Sequence, residues 1–188
     1  MCNMEVKSSL CSGRPEDKRI DKEERCYALL DSLGLEYWRV DHDYADTIEL
    51  CHQIEKTLGC NICKNLLLTN RQQTEVYLLL MPGDKPFKTK VLSKQIGTAR
   101  LSFATAEQME RFLDITPGSV SVLGLMNDRQ GLVHLIIDKD LLKDEYFGCH
   151  PCINSSTLKL RTADVIEKLI PAMSHPISYV ELPWQLEE

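Results

Sequence analysis

Apolar positions recur along this chain with two periods, and the switches between them mark its elements. Over residues 22–33, Cys26, Leu29, Leu30 and Leu33 stand at i, i+3, i+4 and i+7, the stripe of an amphipathic helix that Gly34 stops. Residues 37–40 read as a short strand. Asp46 followed three residues later by Glu49 predicts a capping box that opens a second helix, with Ile48, Cys51, Ile54 and Leu58 inside and Gly59 as its stop. Residues 66–69 and 76–81 are apolar runs of strand length around the polar residues 70–74, which predicts a hairpin. Residues 89–96 read as helix up to Gly97 and residues 100–104 as a short strand. Thr105 with Gln108 caps a further helix, with Ala106, Met109, Phe112 and Leu113 as its buried stripe. Past Pro117 and Gly118, residues 120–126 and 132–137 predict a second hairpin-like pair. Thr162 is placed to cap a helix with Val165, Ile166, Leu169 and Met173 inward, and residues 177–182 read as an extended tail. Strands and helices alternate without a strict βαβ repeat, which predicts a mixed α/β or α+β domain.

Composition narrows this to one domain, because 188 residues with 43% hydrophobic content suffice for a real core. Residues 1–21 lack apolar periodicity and predict a flexible N-terminal extension, leaving 22–188 as the domain. No apolar run reaches the roughly 18 residues of a membrane span, and the first 20 residues carry charges where a signal peptide needs an apolar stretch. The expectation is a cytoplasmic protein, monomeric or homodimeric, whose eight cysteines are reduced. A net charge of −6 argues against a broad nucleic-acid-coating surface. One local basic cluster remains: Lys85, Lys88, Lys90, Lys94 and Arg100, with Asp84 the one acid among them. There is no P-loop, dinucleotide fingerprint or metalloprotease helix motif, and no cofactor is expected.

The candidate chemistry gathers in two stretches. Gly148-Cys149-His150-Pro151-Cys152-Ile153-Asn154 is a polar loop between apolar runs, where Gly148 can take unusual backbone angles and Pro151 pushes His150 towards extended geometry. Its expected partner is Gly59-Cys60-Asn61-Ile62-Cys63-Lys64-Asn65, which sets a lysine at the mouth of a strand. Two Cys-x-x-Cys pairs, Cys60/Cys63 and Cys149/Cys152, share the spacing of a structural zinc site. They lie far apart inside these two stretches, so free thiols are the expectation and no metal is assigned.

Four stretches in register resemble the prolyl-tRNA editing domains of YbaK/ProX type. They are Lys64-Asn65-Leu66-Leu67-Leu68, Arg100-Leu101-Ser102-Phe103-Ala104, Pro117-Gly118-Ser119-Val120 followed by Asn127-Asp128, and Gly148-Cys149-His150-Pro151 with Asn154 and Thr157. Their order and spacing cover residues 22–182. The resemblance is greatest to the freestanding alanyl-tRNA(Pro) deacylases and implies a mixed, barrel-like sheet flanked by helices. It also implies trans-editing of mischarged tRNA by ester hydrolysis, with the acceptor end of tRNA(Pro) and prolyl-tRNA synthetase as partners.

Ester hydrolysis needs a positioned water, a stabilised oxyanion and a selective pocket. Lys64 suits the electrostatic part, directed at the ester carbonyl or the terminal phosphate, because an ordinary lysine is charged and a poor base. His150 is either a base or a brace of its loop. Asn65, Gly148, Cys149, Pro151 and Asn154 are expected to bind substrate, and Gly124 and Leu125 to wall the amino-acid pocket. The lysines and Arg100 of the basic cluster are expected at acceptor-stem phosphates. The rival reading is a non-catalytic module that binds an amino acid or a tRNA end, with the cysteines as a zinc or redox sensor.

Overall fold

The computed structural model describes residues 5–186 and contains two sheets. The first is antiparallel, in the order β1 (Cys11–Ser12), β2 (Tyr37–Asp41), β8 (Ser156–Arg161), β7 (Tyr146–Cys149). The second is mixed, in the order β5 (Leu101–Phe103), β3 (Lys64–Asn70), β4 (Val76–Met81), β6 (Val133–Asp138), β9 (Ile177–Val180). β3 pairs antiparallel with β4 and β5, whereas β4–β6 and β6–β9 are parallel. The sheets meet at one bridge, Ile62 with Gly148, where the Cys63 N–H donates to the Gly148 carbonyl at 2.9 Å and the Gly148 N–H to the Asn61 carbonyl at 2.7 Å. They do not close into a barrel.

β4 explains the architecture. All six of its residues are buried because the strand is central and covered on both faces. Val76, Leu78 and Leu80 face the main core, with Tyr27, Leu30, Leu67, Leu135 and Phe147, while Tyr77, Leu79 and Met81 face a second core. That second core lies under α3 (Thr89–Ile96), through Leu92, and the chain after β9, through Leu182.

The helices follow the apolar stripes. α1 is Asp21–Ser32, α2 Ile48–Leu58 and α4 Ala106–Leu113, the last with the expected capping box from Thr105 and Gln108. The cap of α2 differs from expectation. Thr47, not Asp46, accepts the Leu50 N–H at 3.2 Å, and Ile48 is 71% exposed while Leu50, Ile54 and Leu58 form the stripe. Thr162–Asp164 (α5), Val165–Leu169 in π geometry and Ile170–Ala172 (α6) run on as one helix. Pro171 has no N–H for an i−4 bond, and the wider turn precedes it. Thr162 does not cap this helix; its hydroxyl donates to the Asp144 carbonyl at 2.6 Å.

Two further expectations change. The second hairpin does not form: Val122–Asn127 is a 3₁₀ helix, opened by Ser121 Oγ accepting the Leu123 N–H at 3.2 Å, and β6 pairs with β4 instead. Joining two parallel strands requires a crossover, here built from α3, β5, α4 and that 3₁₀ turn. The expected flexible extension is laid against the fold over its described part. β1 pairs with β2, Val6 bridges His42, and Arg19 joins Asp41 at 2.9 Å.

Candidate active site

A cavity of about 320 Å³ lies at the junction of the two sheets, and all four stretches that carry the family resemblance place residues on it. β3 and the residues before it supply Ile62, Cys63, Asn65, Leu66 and Leu67; the edge strand β5 supplies Phe103 and α4 supplies Met109; the following loops supply Gly118 and Val120; β7 and its loop supply Cys149 and His150. Alternation along β3 sends Asn65 and Leu67 to one face, and Cys63 just before the strand lines the same cavity. The bridge between Ile62 and Gly148 brings the lysine stretch beside the histidine loop, as their expected partnership requires.

Hydrogen bonds settle the state of His150. Its Nδ1 lies 2.9 Å from the Ser156 carbonyl, which only accepts, so Nδ1 carries the proton and Nε2 is the free acceptor. Thr157 continues the chain, with its Oγ1 3.3 Å from His150 Nδ1 and 2.8 Å from Nε2 of His42, whose Nδ1 faces the Asp43 carbonyl at 2.6 Å. Burial disfavours the charged form of both rings. Burial pushes the His150 pKa down to about 4, against the opposing bond to Ser156, with His42 lowering it further. Burial also lowers His42.

Lys64 begins β3 between two wall residues and is half-buried, but its ammonium donates to the Lys85 carbonyl at 2.6 Å and does not line the cavity. Burial lowers its pKa, and Asp84 partly offsets that. The Asn65 amide is held in place. Its Oδ1 accepts the Val122 N–H at 3.1 Å, and its Nδ2 donates to the Cys63 carbonyl and sulfur, each at 3.2 Å.

Burial raises the Cys63 thiol to about 12 and Cys149 well above its ordinary value, so both are protonated and poor nucleophiles. Cys60, Cys63 and Cys152 all lie near enough to Cys149 to raise it, and all four are free thiols. Among the described residues, no group of three or more His, Cys, Asp or Glu side chains is arranged to hold a metal ion.

Several expected site residues sit elsewhere. Gly124 and Leu125 are buried in the core and not on the cavity. A Cβ at Gly124 would meet Ile115 and Leu113, because the 3₁₀ turn presses this glycine against the end of α4. Asn154 is occupied: its Oδ1 accepts the Ala45 N–H at 3.2 Å and its Nδ2 donates to the Ala45 carbonyl at 3.1 Å. Pro151 is buried and does not line the cavity. Lys85 is 1% exposed, ion-paired with Asp138 and Asp140, and so is removed from the surface cluster expected to meet phosphates. Lys88, Lys90, Lys94 and Arg100 remain exposed.

Beside the cavity runs a groove of about 660 Å³, lined by Arg71, Thr89, Arg100, Leu101, Ser102 and Phe103. Phe103, 59% exposed, belongs to both. Arg71 belongs to no motif in the sequence, and Phe103 stands in one only as part of Arg100-Leu101-Ser102-Phe103-Ala104. An apolar residue at a strand edge shows no sequence sign of its exposure.

A small, mostly apolar cavity next to a basic, aromatic groove suits a small group carried on the end of an anionic chain. Comparison with known proteins agrees: the profile of the aminoacyl-tRNA editing domain matches residues 42–168. The prolyl-tRNA editing protein ProX of Acetoanaerobium sticklandii is 32% identical over 163 residues, covering 87% of this chain and 99% of its own. Prolyl-tRNA synthetase associated domain-containing protein 1 of Danio rerio is 27% identical over 165 residues, 87% of each chain. Among solved structures, one described as a candidate trans-editing enzyme for prolyl-tRNA synthetase superposes with a TM-score of 0.64 at 14% identity, over 88% of this chain and 100% of the other. That of hypothetical protein APE2540 gives 0.60 at 18% identity, over 84% and 97%. These two show the fold. The chain belongs to the aminoacyl-tRNA editing domain family, and with that membership it is an aminoacyl-tRNA deacylase.

Proposed function

We propose that this protein edits in trans, hydrolysing the ester of alanyl-tRNA(Pro) after release from prolyl-tRNA synthetase. The observation that carries the reading is the convergence of all four family stretches on one small cavity. The aminoacyl group enters between Leu67, Met109 and Val120, which set its size limit. The unprotonated Nε2 of His150 orients the attacking water, assisted by the neighbouring 2′-hydroxyl of the terminal ribose. The Lys64 ammonium, released from the Lys85 carbonyl, meets the ester carbonyl or the terminal phosphate. With Cys63 and Cys149 protonated, direct attack by water is favoured over a covalent thioester.

The groove supports the same reading. Arg71, Arg100 and the exposed Phe103 pair guanidinium groups with an aromatic face, the combination that holds single-stranded nucleic acid by phosphate contact and base stacking. Lys90 and Lys94 of α3 add charge for the acceptor stem. So few contacts give weak, salt-sensitive binding, which lets correctly charged tRNA leave.

Selection rests on size, because one methylene is worth only about 1–3 kcal/mol. The test is a panel of alanyl-, seryl-, cysteinyl- and prolyl-tRNA(Pro), following loss of each ester. Preferential loss of the alanyl ester is expected. Equal loss of all four, or of none, overturns the assignment.

A further inference from the structure

A buried cluster of ion-paired side chains lies outside the cavity. Lys85 is 1% exposed, and its Nζ lies 2.7 Å from Asp138 Oδ2 and 2.8 Å from Asp140 Oδ2. Asp138, the last residue of β6, is itself fully buried, and its Oδ1 accepts the Asp140 N–H at 3.1 Å. The ring of Trp184, from the chain after β9, stands 5.0 Å from the Lys85 ammonium, and its indole N–H donates to Asp140 Oδ2 at 2.7 Å. Removing charges from water is costly, and well-packed apolar side chains would fill the same space without that cost. What the ion cluster adds is directional: it allows one placement of the Lys85 residue.

That placement matters because the Lys85 main-chain carbonyl accepts the Lys64 ammonium at 2.6 Å. The turn before it is closed by the Lys85 N–H donating to the Pro82 carbonyl at 3.2 Å. The turn also packs on the segment leading into β3. A Cβ at Gly83 would collide with the Ile62 carbonyl, and Ile62 is the residue bridged to Gly148.

We propose that Lys85, Asp138, Asp140 and Trp184 are positioning residues for Lys64: the cluster pins Lys85, and the pinned main-chain carbonyl sets where the Lys64 ammonium waits. The tail residue Trp184 thereby acts on the site without touching it. The catalytic consequence rests on the deacylase reading, but the positioning itself does not.

Two variants test this. Lys85→Met keeps an unbranched side chain, one atom shorter, and removes its charge. Trp184→Phe keeps an aromatic side chain at this position and removes the N–H donor together with part of the ring, so it decides alone if Lys85→Met does not fold. In protein labelled with ¹⁵N-lysine, with the Lys64 signal identified by its loss in Lys64→Arg, both variants are expected to shift that signal and move its titration midpoint down. On alanyl-tRNA(Pro), kcat is expected to fall about 10- to 100-fold with KM little changed, as for a misplaced catalytic group. An unshifted Lys64 signal and midpoint in a folded variant overturns the proposal. A wild-type protein that cleaves no mischarged tRNA removes the deacylase reading, and the Lys64 titration still decides the positioning.

Discussion

Lys64 is the side chain on which most turns. Its single bond, to a backbone carbonyl, is worth about 1 kcal/mol to the fold. Lys64→Ala should therefore abolish deacylation while lowering stability by no more than that, as read by single-turnover hydrolysis beside urea denaturation. Near-normal turnover would remove the lysine from the mechanism. Gly124 shows the opposite pattern. Because a side chain there meets Leu113 and Ile115 in the core, Gly124→Phe should overpack it by about 1–3 kcal/mol or more and leave the ranking of amino-acid esters unchanged. Specificity is expected instead at Met109, which lines the cavity: Met109→Ala should increase hydrolysis of seryl and prolyl esters relative to alanyl. Unchanged ratios for Met109→Ala would place the selective wall elsewhere.

At the scale of elements, the N-terminal segment and α4 carry the predictions. The segment before α1 was legible only as an absence of apolar periodicity, which says nothing about backbone pairing. Cys11 and Ser12 join β2 through main-chain bonds, and Arg19 reaches Asp41 through charge, so removal of residues 1–20 should lower the urea midpoint measurably. An unchanged midpoint would show that this pairing adds no stability. α4 was legible in full, including its capping box, because Thr105 and Gln108 are neighbours in sequence. Thr105→Ala should cost about 1 kcal/mol and, since α4 carries Met109, loosen one wall of the cavity.

For the whole molecule, acid is the informative variable. His150 is held near pKa 4 against an ordinary 6.5, and His42 is lowered as well. Between those two values the unfolded chain binds more protons than the folded one, so stability falls as pH drops through that window. The loss from His150 alone is about 3 kcal/mol, with His42 adding in the same direction. Asp41 and Asp128, both held below the ordinary carboxylate value, extend the decline to still lower pH. Urea denaturation at pH 7, 6 and 5 checks it, and a flat profile would show that the imidazoles are not buried and neutral. Activity that depends on neutral His150 should likewise show no inflection near 6.5.

The sequence by itself determined β2 to β6 and most helices, since periodicity and capping are local, and it marked the stretches that share the cavity. It also singled out the lysine and histidine stretches as partners. Whether Val122–Asn127 would be strand or 3₁₀ turn depended on which neighbour β6 paired with, and that is a contact between distant residues. In the same way, only the folded chain decided that Lys85 leaves the surface. A lysine among lysines looks solvated until two carboxylates from another strand end and turn surround it and make burial of its charge affordable.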